Sequence, residues 1–215
     1  MMEKVTNIAE FLLKIKAVRL QPDAPFTWAS GWKSPVYCDN RLTLSYPELR
    51  SMVCEALVEL IRMRFPKADG VAGVATAGIP QGVLVADRMQ LPFLYVRSAP
   101  KSHGLTNQVE GRVEPARRYV VVEDLISTGG SSIKAVEALR AAGGIVEGVV
   151  SVFNYGFPHA ENAFAAADCA FSELLTLDTL LRKAAEINYI QPAEMQVIRD
   201  WRKDPEAWSA ARIQS

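Results

Sequence analysis

The sequence predicts an α/β fold: a central, mostly parallel sheet flanked by helices, with a small N-terminal cap. Three observations predict it. The apolar, largely β-branched run at residues 119–122 reads as a strand covered on both faces. From residue 48 onward, strand-like runs alternate with stretches of helical periodicity, and right-handed crossovers then set the strands parallel. The chain has 215 residues, 49% of them hydrophobic, which suffices for one domain with a sizeable core. Within a single domain of residues 1–215, residues 1–42 are expected to form the cap, 43–190 the α/β core and 191–215 a C-terminal helical segment.

Each element follows in order. Ile8, Phe11, Leu12 and Ile15 recur at helical spacing and predict an amphipathic helix over about residues 4–17. Pro22 and Pro25 interrupt the short apolar pieces around Leu20 and Phe26, so no long element forms there. Residues 29–41 alternate loosely, as an irregular strand does. Ser45 is expected to cap the next helix, with Pro47 in its first turn and Glu48 closing a capping box. Leu49, Val53, Ala56, Leu57, Leu60 and Ile61 give that helix one apolar face as far as about Arg64.

A strand of small residues at 70–74 then enters the tight loop Ala75-Thr76-Ala77-Gly78, and a helix follows. So many small residues fit either close backbone approach to a ligand or plain strand–helix packing. Residues 92–97 form another strand, followed by a polar, glycine-punctuated loop at 98–111. A loop of that length in a compact domain is either functional or disordered. The central strand starts at Tyr119, and a helix at 133–142 is closed by Gly143 and Gly144. Strands at 144–155 and 169–175, and helices at 160–167, 177–187 and 193–202, complete the chain.

The chemistry concentrates between the central strand and its helix, in Glu123-Asp124-Leu125-Ile126-Ser127-Thr128-Gly129-Gly130-Ser131-Ser132. Two glycines let the backbone curl its N–H groups inward, and the helix N-terminus adds partial positive charge. Ser127, Thr128, Ser131 and Ser132 supply hydroxyls. This reads as a phosphate cradle. Glu123 and Asp124 would repel a bare phosphate, so a neighbouring sugar is their partner: they accept from ribose hydroxyls, directly or through magnesium. Gly130 is followed by Ser131 and not by lysine, which excludes a P-loop, and no G-x-G-x-x-G follows a strand. The plain alternative is an ordinary strand-to-helix connection.

This stretch resembles the phosphoribosyl-pyrophosphate motif of type I phosphoribosyltransferases, and its wording is most similar to the orotate phosphoribosyltransferase branch. The resemblance covers about the first three quarters of the chain. It implies the corresponding fold, with the donor bound along Glu123, Asp124, Leu125, Ile126, Ser127, Thr128, Gly129, Gly130 and Ser131. Ser127 then stands next to orotate, and Ala75, Thr76, Ala77 and Gly78 match the pyrophosphate loop. Arg97-x-x-x-Lys101-x-His103-Gly104 resembles the catalytic loop of the branch. Arg97, Lys101 and His103 are thereby placed on the donor pyrophosphate, with Asp124 the fourth residue of the chemistry and the loop shared across a homodimer. Two lysines of enteric-type members are absent: one is matched by Ala29 and the other falls near Ala77. Ser98 also stands where the family often has a lysine. Lys33 is near enough to Ala29 to compensate. Trp28 and Trp32 either pack the core or line a base pocket.

The implied reaction carries ribose 5-phosphate from phosphoribosyl pyrophosphate to orotate, in pyrimidine biosynthesis. Magnesium is held mainly through the donor, with no dedicated protein metal site. A purine phosphoribosyltransferase and a non-catalytic donor-binding regulator are the alternatives. Ligands in such sheets bind beyond the carboxyl ends of strands, where the loops after residues 74, 96 and 122 converge. A net charge of zero argues against a nucleic-acid partner. No apolar run reaches a membrane span, and the first residues lack a signal-peptide pattern. Cys38, Cys54 and Cys169 are widely spaced and odd in number, which fits reduced thiols in a cytoplasmic protein.

Overall fold

A computed structural model of the chain describes residues 2–28, 31–99 and 108–213. Helix α1 (Met2–Lys14) leads into the short strands β1 (Val18–Leu20), β2 (Phe26–Thr27), β3 (Lys33–Ser34) and β4 (Val36–Cys38). These pair as two small antiparallel ladders, β1 with β4 and β2 with β3. A 3-10 turn at Asn40–Ser45 then delivers the chain to α2 (Pro47–Arg64).

The main sheet uses β5 (Gly70–Val74), β6 (Phe93–Val96), β7 (Val109–Glu110), β8 (Arg118–Ile126), β9 (Ile145–Asn154) and β10 (Phe171–Thr176). Their spatial order is β10-β9-β8-β5-β6-β7, and every pair is parallel except the edge strand β7 against β6. The connecting helices are α3 (Gly78–Met89), α4 (Gly130–Ala141) and α5 (Pro158–Ala166). The chain closes with α6 (Leu177–Glu186), α7 (Pro192–Lys203) and α8 (Pro205–Ile213).

From β5 the chain steps outward to β6, then returns past β5 to β8 and continues to β9 and β10. Strand order therefore reverses between β5 and β8. A crevice opens at such a reversal, because the loops leaving the two strands diverge to opposite faces.

Alternation along β8 divides the core. Val120 and Val122 enter a cluster with Leu12 of α1, Leu57 of α2 and Leu180 of α6. Tyr119 and Val121 enter a second cluster with Leu139 of α4 and Phe164 of α5; Ile126, at the end of the strand, breaks the alternation and joins them there. Helix α1 lies inside the larger cluster and packs on α2 and α6. Its Glu10 also meets Lys183 of α6 at 2.9 Å.

The helix-start expectation at Ser45 is corrected. Ser45 ends the 3-10 turn, while the N-cap of α2 is Tyr46, which makes no side-chain cap bond. Asp39 starts the preceding turn by accepting from the Arg41 N–H, so the local capping chemistry is spent six residues earlier. Helix α4 begins at Gly130, ahead of the expected residue 133. Among the described residues, no helix is long and apolar enough to cross a membrane.

One contact fixes how α3 meets the sheet. A Cβ on Gly78 would lie 2.4 Å from the carbonyl oxygen of Val122 and 3.3 Å from the Cα of Glu123. The first residue of α3 thus rests on the backbone of β8 at the reversal. Neither backbone can give way without disturbing its own ladder. Gly78→Ala is expected to cost about 1–3 kcal/mol of stability, as overpacking does. Urea unfolding checks it; an unchanged midpoint would mean that the contact relaxes freely.

Candidate active site

The site is built at the carboxyl ends of β5 and β8. Helix α3 starts after Ala77 and helix α4 after Gly129, and neither N-cap makes a side-chain capping bond. The leading N–H groups of α4 are thus left to ligands or water, whereas in α3 the Ile79 N–H donates to the Thr76 carbonyl at 3.3 Å and Pro80 has none; both helices still bring the positive ends of their dipoles to the site. Gly129 takes φ +81°, and a Cβ there would meet the Phe164 ring at 2.9 Å. Only glycine turns the chain into α4 at that point. The Ala75–Thr76 peptide bond is cis.

Glu123 is 4% exposed. Its Oε2 accepts from Ser131 Oγ at 3.1 Å and from Ser132 Oγ at 3.2 Å, while Oε1 accepts from the Asp124 N–H at 3.1 Å. Ser131 and Ser132 thus bind the acidic pair to the first turn of α4. Burial pushes the Glu123 carboxyl up to about 8, and the neighbouring Asp124 pushes in the same direction. Asp124 is half-buried and is also raised by burial, against the lowering effect of its hydrogen bond with Glu123. The pair therefore retains a proton well above the usual carboxylate range.

A hydrogen-bonded chain ties this end of β8 to α3. Asn40 Nδ2 donates to the Asp124 carbonyl at 2.7 Å. Thr43 Oγ1 donates to the Asn40 carbonyl at 2.7 Å and accepts from Gln81 Nε2 at 3.1 Å. Asn40, Thr43 and Gln81 are all buried, so the chain holds the two helix starts in fixed register.

Beside the cradle is a cleft of about 390 Å³. Leu125 and Ser127 of the central stretch form one side; Thr27, Trp28, Tyr37 and Cys38 of the N-terminal strands and Tyr155 after β9 form the rest. Burial pushes the Cys38 thiol and the Tyr155 phenol well up, so both stay neutral. A larger cleft of about 560 Å³ shares the Trp28 and Ser127 walls. Thr128, Trp32, His159 and the α7–α8 link at residues 203–206 also border it.

The structure brings Glu123, Asp124, Leu125, Ile126, Ser127, Thr128, Gly129, Gly130 and Ser131 together as one strand–turn–helix unit. Arg97 stands just beyond β6, its Nη1 3.6 Å from Glu110 Oε1. Lys101 and His103 lie outside the described residues, as does Ala29. Lys33 Nζ donates to Thr27 Oγ1 at 3.0 Å, which places its ammonium against the wall of the smaller cleft. Sequence reading missed Tyr37, Cys38 and Tyr155. Tyr155 directly follows the carboxyl end of β9, so the rule that singled out the other loops could have found it.

Comparison with known proteins agrees with this geometry. The family model described as "Phosphoribosyl transferase domain" matches residues 47–158. An orotate phosphoribosyltransferase of Bacteroides thetaiotaomicron is 56% identical over 204 residues, covering 95% of this chain and 96% of that protein. One of Bacillus subtilis is 52% identical, covering 93% of each. The crystal structure of orotate phosphoribosyltransferase from Aeropyrum pernix superposes with a TM-score of 0.74 at 32% identity, covering 86% of this chain and 99% of that one.

The raised Glu123 carboxyl has a sign that can be measured. Folding takes up a proton there, so its contribution to stability is full below the unfolded carboxylate value and is lost as pH rises through about 8. Glu123→Gln removes this dependence. The melting temperature of the variant, relative to the unsubstituted protein, is expected to rise steadily between about pH 5 and 9. A constant difference across that window would show that Glu123 is ionised throughout.

Proposed function

The chain belongs to the orotate phosphoribosyltransferases, and on that premise we propose how its residues divide the transfer of ribose 5-phosphate from phosphoribosyl pyrophosphate to N1 of orotate. The products are orotidine 5′-monophosphate and pyrophosphate. The observation that carries the assignment is the uncapped start of α4 behind Thr128, Gly129 and Gly130, with an acidic pair on the strand that feeds it. Backbone N–H groups of that turn, that of Ser131 included, with the Thr128 hydroxyl, hold the 5′-phosphate. Glu123 and Asp124 accept from the ribose hydroxyls once ionised. The N-terminus of α3, behind Ala75, Thr76 and Ala77, receives the pyrophosphate.

Orotate occupies the smaller cleft, whose planar aromatic and aliphatic walls suit a flat ring and whose neutral Cys38 thiol and Tyr155 phenol do not repel an anion. Ser127 meets the base, and Lys33 lies close enough to Thr27 to offset the orotate carboxylate. As the C1–O bond breaks and the N1–C1 bond forms, positive charge builds on the sugar and negative charge on the leaving group. Arg97, Lys101 and His103 stabilise the leaving group.

Magnesium fits the donor set in a limited way. Among the described residues, no group of three or more His, Cys, Asp or Glu side chains could hold a metal ion. Asp124 and Glu123 would hold the ion only together with the donor, to which it would be bound mainly, and it would supply charge neutralisation for the pyrophosphate. The active form is a homodimer in which the loop of one chain serves the site of the other. The reaction belongs to cytoplasmic pyrimidine synthesis.

Three measurements test this reading. Turnover with orotate, adenine and guanine in parallel should appear with orotate alone; turnover with a purine would replace the base assignment. Gly130→Val tests the cradle. A Cβ at Gly130 meets nothing nearer than Thr128 Oγ1 at 3.9 Å, so the fold should survive. Donor affinity should fall at least about tenfold, as loss of one charge-assisted hydrogen bond does. Unchanged affinity in calorimetry would remove the phosphate from this turn. Mixing Lys101→Ala/His103→Ala chains with Asp124→Asn/Thr128→Val chains should restore about a quarter of full activity by random subunit exchange. No recovery after verified exchange would confine the loop to its own chain.

A further inference from the structure

We propose that α7 and α8 buttress the orotate cleft, with Trp201 the positioning residue that sets its two aromatic walls. The inference rests on the base assignment above and concerns helices that lie beyond the matched residues 47–158. Trp28 and Tyr155 both line the cleft but come from unrelated elements, one after β2 and one after β9. Their rings meet each other at 5.6 Å, tilted by 48°, and both rest on Trp201 of α7, a side chain with no exposed surface. Its ring stands edge-on to Trp28 at 5.8 Å and 88°, and to Tyr155 at 5.7 Å and 81°. Phe157 completes the cluster, edge-on to Trp201 at 5.3 Å and stacked on Tyr155 at 5.3 Å. Edge-to-face geometry is directional, so moving the Trp201 ring moves both walls.

The cleft side of the N-terminal ladder needs such support. The β2–β3 ladder is two residues long on each strand, too short to be stable by itself. It is held from outside by Ser209 of α8, a buried side chain whose Oγ accepts from the Lys33 N–H at 2.7 Å. The Lys33 ammonium in turn donates to Thr27, another wall residue of the cleft. Helix α7 is itself anchored: Arg202 Nη1 meets Asp178 Oδ2 in the first turn of α6 at 2.6 Å. By contrast, the donor side is positioned by Asn40, Thr43, Gln81 and the first turn of α4. The two halves of the site thus have separate supports, and damage to one should read out on one substrate.

The test is steady-state kinetics on Trp201→Ala, Trp201→Phe and Ser209→Ala in the full chain, with orotate and phosphoribosyl pyrophosphate varied in turn. Trp201→Ala is expected to raise the orotate KM about tenfold while the donor KM stays within about twofold. Trp201→Phe keeps an aromatic ring in place and should recover most of the loss. Ser209→Ala should raise the orotate KM several-fold in the same direction. Thermal melts accompany each variant. If Trp201→Ala does not fold, the two milder variants decide, and an unchanged orotate KM in both overturns the proposal. Parallel rises in both KM values, or a drop in kcat alone, overturn it as well, since they mark general loosening. The unsubstituted protein is the control. If it turns over orotate and the variants show no split, the buttress fails and the function stands. If it does not turn over orotate, both fall.

Discussion

Two helices begin at the carboxyl ends of adjacent strands, and each brings the positive end of its dipole to the crevice. Strand order reverses between β5 and β8, so α3 and α4 leave toward opposite faces. Gly78 removes the side chain that would otherwise wedge α3 away from β8. Electrostatically, an empty crevice of this kind favours negative charge. Glu123 and Asp124 supply some of it, but burial keeps the pair from ionising fully. The crevice is therefore left short of anionic charge, which a polyphosphate ligand provides.

The second half of the site obeys a different rule. The smaller cleft is lined by rings, a leucine and groups whose burial keeps them neutral. A ligand there meets shape and a few hydroxyls. The turn into α4 offers backbone dipoles, which depend on helix placement more than on side-chain identity. That turn is written in one continuous stretch, while the smaller cleft is gathered from four separate parts of the chain.

The same difference set what could be read from the sequence. The strand, the acidic pair, the glycine turn and α4 are contiguous, and their spacing carries the physics, so that unit was legible. Its inner wiring was not. Ser131 and Ser132 were expected to serve the ligand, yet in the structure they donate to Glu123. Tyr37, Cys38 and Tyr155 went unnoticed because a cleft assembled from distant segments leaves no local pattern. The edge strand β7 is two residues long, below what alternation can signal. Ser45 misled because Ser-x-Pro-Glu imitates a helix start, whereas Asp39 had already turned the chain. Helix α8 follows a lone Pro205, and its buried face shows only in Ser209, a residue that sequence reading takes as surface.

The proton that Glu123 and Asp124 share gives the protein a calorimetric signature. A donor whose ribose hydroxyls are accepted by ionised carboxylates must expel that proton to solvent. Binding then hands a proton to whatever buffer is present, and the heat observed includes the buffer's own enthalpy of protonation. Titrations of the donor in phosphate and in Tris, otherwise identical, would differ by that amount for each proton released. A crevice that bound a sugar phosphate in this way would export acidity each time it filled.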